Sequence, residues 1–184
     1  MTPERAAEDF WEWSIEVYAR PGMKDALLKL QDRHHLNVNL ILWAIWAAQA
    51  GWKLDEEKIE ELTRAVDQFT RYGIERLREV RRYLSSPKKG FSERDLGELR
   101  DELLDAEIKG ERMVQTRLAV LTATVAGERE TMDLDDIMSA ARTHFANIGP
   151  SLEKPVLLAD SHGFAAAGEL FEEVLQLALS EETA

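Results

Sequence analysis

The chain has no cysteine among its 184 residues. That excludes a disulfide framework, a thiol nucleophile and a thiolate metal site, and it fits a reducing compartment. Long apolar runs are missing too. The most apolar stretch, Val38 to Ala50, contains Asn39 and Gln49, and a membrane span needs about 20 apolar residues. The stretch therefore reads as a buried helix, with no membrane contact expected. Residues Met1 to Asp9 are acidic and lack a basic start followed by an apolar core, so they do not read as a secretory signal. The expected location is the cytoplasm. There is no internal repeat, no low-complexity tract and no alternating pattern long enough for a sheet. Val156 to Ala159 is the lone strand candidate, and a single strand has nothing to pair with.

Chemical signatures are equally scarce. There is no Gly-x-Ser-x-Gly elbow and no phosphate loop. Asp160-Ser161-His162 contains the residue types of a triad, but consecutive residues cannot adopt triad geometry with one another. The Glu-x-x-His pair that helical bundles use for dinuclear metals is absent. No cofactor and no metal are expected.

What is present is apolar residues at helical spacing. The hydrophobic fraction is 45% and the charged fraction 32%, enough for one folded domain with a real core. Thr2 before Pro3 opens a helix that Pro21-Gly22 ends. Met23, Ala26, Leu27 and Leu30 share a face of a second helix, to about His34. A third, from Val38 to Ala50, is apolar nearly all round and should sit centrally. Asp55 caps a fourth, which Gly73 bends or breaks before the pattern runs on to Ser85-Ser86-Pro87. Ser92 with Asp95 opens a long helix towards Val125, and Asp133 caps another that Gly149-Pro150 ends. Residues 150 to 166 read as a loop and Ala167 to Leu179 as a final helix. The expected fold is all-α, an antiparallel bundle of about six to eight helices. Residues 1–130 form its core, and 131–184 form a C-terminal elaboration packed on the same domain. The five tryptophans read as core.

Polar residues on apolar faces carry the functional signal, because burying one without a partner costs about 1 to 3 kcal/mol. Glu107 falls inside the buried arc of the long helix, with Glu111 one turn on and Gly110 beside them, leaving room for a close backbone approach. Two carboxylates there could hold a metal or serve as acid and base. The competing and stronger reading is pairing with Arg78 or Arg81. His34, with Gln31 and Asp32 nearby, is either a ligand or base, or a histidine bonded to a carbonyl near a helix end. Asn37 suits an N-cap, and Asn39 should bond something specific, with Gln31 or Asp32 as expected partners. Gln31, Asp32, His34, Asn39, Glu107 and Glu111 form the candidate polar pocket.

The charge is uneven. The net charge is -12, which argues against nucleic acid. Yet residues 71 to 90 hold seven bases against two acids, and residues 91 to 136 hold thirteen acids against six bases. Arg71, Arg78 and Arg82, with Glu75 among them, share one helical face, and Arg81 lies beside it. Such a stripe is either solvated and ion-paired, or it docks an acidic partner or RNA phosphates, of which the overall charge makes RNA the weaker choice.

Several residues occur in a familiar order: Phe10-Trp11, Ser14, Val17-Tyr18, Pro21-Gly22, Leu30-Gln31-Asp32, Val38-Asn39-Leu40, Trp46 and Gly51. Leu77-Arg78, Arg81-Arg82, Ala106-Glu107 and Glu111-Arg112 continue it. In these the chain resembles a bacterial family catalogued as domain of unknown function 2390, over about residues 8 to 120. The resemblance implies a small, cytoplasmic, helical protein and no particular activity. His35 departs from it where a glycine would be expected, and the segment beyond about residue 130 lies outside it. Two functions are then in view. One is a non-catalytic interaction module using Arg71, Arg78, Arg81 and Arg82 to dock an unknown protein. The other is a small-molecule- or metal-binding protein, or an enzyme, using the polar pocket. A homo-oligomer held by the apolar C-terminal helix is a third arrangement.

Overall fold

One helix is apolar all round, and the others are arranged about it. The computed structural model describes residues 1–148 and 161–180, with backbone only for 161–165. Among the described residues the order is α1 (Pro3–Tyr18), α2 (Met23–His34), α3 (Val38–Gln49), α4 (Glu56–Phe69), a π-helical turn (Thr70–Ile74), α5 (Glu75–Tyr83), α6 (Glu93–Val125), α7 (Leu134–Ile148) and α8 (Ser161–Leu179), with no strand. The protein is an all-α helical bundle.

The helix starts follow local chemistry. Side-chain oxygens of Thr2, Asn37, Asp55 and Ser92 accept the first free backbone N–H groups of α1, α3, α4 and α6. Asp133 does the same for α7, accepting from the Asp136 N–H at 2.9 Å. Gly22 and Gly51 take positive φ at turns. At Gly51 a Cβ would collide with the Glu130 carbonyl, so glycine is required there twice over.

Ten of the twelve residues of α3 are buried, and the helix is packed by α1, α2, α6, α7 and α8. Trp43, Trp46 and Trp52 fill the centre, with Trp46 stacked on Phe10 at 4.8 Å. Trp11 and Trp13 are partly buried. α7 lies on α3 and α4, and α8 on α2. Arg20 ties α8 down by donating to the carbonyls of Leu177, Ala178 and Ser180 at its C-terminal end. The apolar residues of α8, Phe171, Val174 and Leu175, are buried inside the chain. They are therefore not a free oligomer contact.

α6 has 33 residues and is about 50 Å long. Its C-terminal half belongs to the bundle. Its N-terminal half packs against α5, and α5 packs on little besides α6 and the π turn. The two form an arm. The expected bend at Gly73 is a π turn with helix on both sides. At Gly110 the close neighbour is the Ile74 side chain, where backbone was expected, and a Cβ would come within 2.9 Å of it. α8 begins at Ser161, earlier than the expected Ala167, because the stretch 161 to 166 has no apolar stripe from which to read a helix. Gly149-Pro150, Val156 to Ala159 and Asp160 lie outside the described residues. No described helix is long and apolar enough to cross a membrane.

Candidate functional site

α2 ends on a residue with left-handed backbone. His35 has φ 54°, the single non-glycine residue with positive φ among those described. The resemblance led to an expectation of glycine here, and a left-handed backbone is the one that glycine adopts most readily. The turn sends Leu36 into the core and brings Asn37 to the start of α3. Opposite it, the π turn shifts the helical register so that Thr70 and Arg71 face the same space. Between them lies a cleft of about 430 Å³.

Three walls define it. Gln31, Asp32 and His35 come from the end of α2, and Asn37 and Asn39 from the start of α3. Asp67, Arg71, Glu75, Arg78 and Arg82 come from α4, the π turn and α5. Leu36, Leu40, Val66 and Ile74 supply apolar floor. The stripe Arg71, Glu75, Arg78 and Arg82 thus faces a concave surface, where an open one was expected.

Asn39 is 7% exposed. Its Oδ1 accepts from Gln115 Nε2 at 2.9 Å, and Gln115 Oε1 lies 3.0 Å from Ser14 Oγ. The expected partners Gln31 and Asp32 are not the ones it bonds. The long helix supplies the partner instead, because it passes directly beneath the start of α3. The Asn39 Nδ2 group has no acceptor among the described residues.

The arginines are engaged. Arg71 pairs with Asp67 at 2.6 Å. Arg78 pairs with Glu111 at 2.7 Å and approaches Glu107 at 3.5 Å. Arg81 makes a two-nitrogen fork on Glu107. Arg82, 61% exposed, reaches Asp32 only at 3.5 Å. Glu107 is 3% exposed, and both arginines expected as partners do reach it. Burial pushes the Glu111 carboxyl above its ordinary range, against the pull of Arg78. Burial likewise raises the Tyr18 phenol, with the Glu111 charge adding to it.

The six pocket candidates therefore separate. Gln31, Asp32 and Asn39 line the cleft. Glu107 and Glu111 lie behind its wall, reached through Arg78. His34 is half-buried and does not line the cleft, whereas His35 does. α2 and α6 do not form a packed pair, so His34 and the two glutamates have no common site. No three His, Asp or Glu among the described residues are placed to hold a metal ion.

One buried histidine escaped the sequence reading. His144 is 1% exposed. Its Nδ1 lies 3.0 Å from the Ala44 carbonyl and its Nε2 accepts the Leu54 N–H at 3.2 Å. A carbonyl only accepts, so Nδ1 carries the proton and the ring is neutral. Burial lowers its pKa. The signal was available, since Ala140, Ala141 and Ile148 flank it at i-4, i-3 and i+4 on one apolar face. Ser161 and His162 have no described side chains.

No curated protein and no solved structure matches the chain. Residues 9–118, which hold the Asn39 and Gln115 pair, the arginines and every wall of the cleft, match the family described as protein of unknown function (DUF2390), and over more than half its length this chain belongs to that family.

Proposed function

We propose that the protein is a small-molecule-binding protein of the cytoplasm, and that the cleft between the α2–α3 turn and α5 takes a small zwitterion of the amino-acid kind. The carrying observation is Asn39. It is buried, it lines the cleft, Gln115 holds its carbonyl oxygen, and its amide nitrogen is left with N–H groups to donate. Among the described residues the buried side-chain polar atoms without a partner are Arg20 Nε and Thr63 Oγ1, so the Asn39 nitrogen is reached from the cleft and can donate to a ligand held there. The walls carry three guanidinium groups and four carboxylates, so a polyanion would meet as much repulsion as attraction. A molecule bearing both signs finds a partner for each. The apolar floor suits a short aliphatic body, and the volume lies at the small end of ligand sites.

A thermal-shift series with the free amino acids and small carboxylates tests this. At about ten times its Kd the correct ligand should raise Tm by about 3–6 °C. Arg82→Ala, which removes only a long contact to Asp32, should weaken that response without lowering the Tm of the free protein. No shift with any amino acid would overturn the proposal.

A second reading, a non-catalytic protein-interaction module, has its own support. Tyr72 and Tyr83, 66% and 64% exposed, lie with Val80 on the outer side of the π turn and α5, and exposed aromatic residues are enriched at interfaces. In this reading Arg82, rather than Arg78 or Arg81, is the arginine left to meet an acidic partner. Reversal of Arg82 together with Tyr72→Ala should then abolish partner capture with the fold intact.

A further inference from the structure

Along the solvent side of α6, residues at alternating spacings of four and three share one face. Asp95, Leu99, Glu102 and Ala106 occupy its first half, and Lys109, Met113, Thr116 and Val120 its second. This is the spacing of a coiled-coil seam. All eight are exposed or only partly buried, with Leu99 at 46% and Met113 at 60%. The face divides by charge. Glu102 and Asp105 make the first half acidic. The second half carries Lys109, Arg112 and Arg117.

The second half also borders a groove of about 770 Å³ between α4 and α6, where Phe69 is 44% exposed. Its lining contains those three cations and no acid, in a chain whose net charge is -12. Among the described residues none of the three pairs with a carboxylate, although Arg112 lies over the Trp11 ring. Arg78 and Arg81 of α5, by contrast, are held by Glu111 and Glu107.

We infer that a second copy of this chain covers the groove, its α6 antiparallel to the first about a two-fold axis. The seam residues then form layers with one constant register. Asp95 meets Val120 of the second copy, Leu99 meets Thr116, Glu102 meets Met113 and Ala106 meets Lys109. Asp105 flanks the seam opposite Arg112 of the second copy, and Glu102 comes beside its Lys109. Every such contact occurs twice, as an isologous interface requires. A parallel alignment would set acid against acid and base against base, which the charges oppose. The seam spans about 39 Å of helix. With four of eight layer positions polar or charged, the dimer is weak and sensitive to salt.

Sedimentation equilibrium at low and high salt, combined with a charge swap, tests this. At low ionic strength the mass should approach twice 21.0 kDa, and it should fall to the monomer value in high salt. Lys109→Glu with Arg117→Glu makes the face acidic on balance, with Arg112 as its remaining cation, and Glu102→Lys with Asp105→Lys makes it basic on balance, with Asp95 as its remaining acid. Each double variant alone should lose dimerisation by about a hundredfold. Mixed one to one, the two should form a heterodimer. A wild-type monomer at low salt, variants that dimerise as wild type does, or a mixture that does not associate would each overturn the inference. Should a variant not fold, as judged by its helical circular dichroism, the salt dependence of the wild-type mass decides.

Discussion

Helix α3 buries ten of its twelve residues, whereas α5 buries none of its nine. Around α3 the stabilising contribution is apolar burial, and several of the polar groups drawn in have fixed partners. Trp43 donates to Thr122 at 2.9 Å, Trp46 donates to Asp9 at 2.9 Å, and His144 bridges Ala44 and Leu54. The arm of α5 and the first half of α6 depends instead on two arginines gripping Glu107 and Glu111. Apolar burial acts from every direction and tolerates no gap. Ion pairs at a partly wet surface contribute less, and chiefly fix orientation. The cleft lies where these two regimes meet, with α3 supplying one wall and α5 the other. One wall is rigid, and the other is held by a few charged contacts.

Breaking the rigid side should have the largest effect. Trp43→Ala should cost about 3–5 kcal/mol, read as a lower urea midpoint. Thr122 keeps its bond to the Leu118 carbonyl, so the loss would come from the void. A cost below about 1 kcal/mol would deny α3 its central role.

The arm should respond less, and locally. Glu107→Gln keeps the shape but removes the charge between Arg78 and Arg81. Breaking a buried pair costs about 3–5 kcal/mol. Here both arginines reach water, at 19% and 29% exposure, so about 2 kcal/mol is expected. Amide exchange should quicken in residues 75–106 while α3 and α7 stay protected. Equal acceleration throughout would mean that arm and core unfold as one.

The smallest effect is confined to a pH window. Burial lowers the His144 pKa below its ordinary 6.5, so the unfolded chain takes up that proton first. The resulting stability is complete above pH 6.5 and is lost as the pH falls towards the folded value. Glu111, with its pKa raised from 4.5, acts in the opposite sense. Its protonation favours the folded chain as the pH drops. Tm measured between pH 7.5 and 5 should therefore decline more gently in His144→Gln and more steeply in Glu111→Gln. Identical profiles for all three proteins would show that neither group is linked to folding.

Much of the fold could be read from local chemistry. Thr2, Asn37, Asp55 and Ser92 cap helices because their side chains reach backbone N–H groups two or three residues ahead. The centrality of α3 followed from an apolar circumference. The site was legible only in part. The shared face of Arg71, Glu75, Arg78 and Arg82 is a matter of spacing, and so is the inward position of Glu107. That the stripe faces a cleft depends on the α2–α3 turn standing opposite, more than thirty residues away in the chain.

Spacing along a helix sets which side chains point together, since 3.6 residues per turn is a local property of the backbone. It therefore determined the helices, their caps and the residues that must be buried. Contacts across the bundle depend on how whole helices pack, which no single segment encodes. Tertiary structure alone decided that Asn39 would bond Gln115 rather than Gln31 or Asp32. It likewise decided that His34 would stand outside the cleft and His35 on its edge, and that Arg78 would join the cleft to two buried carboxylates behind it.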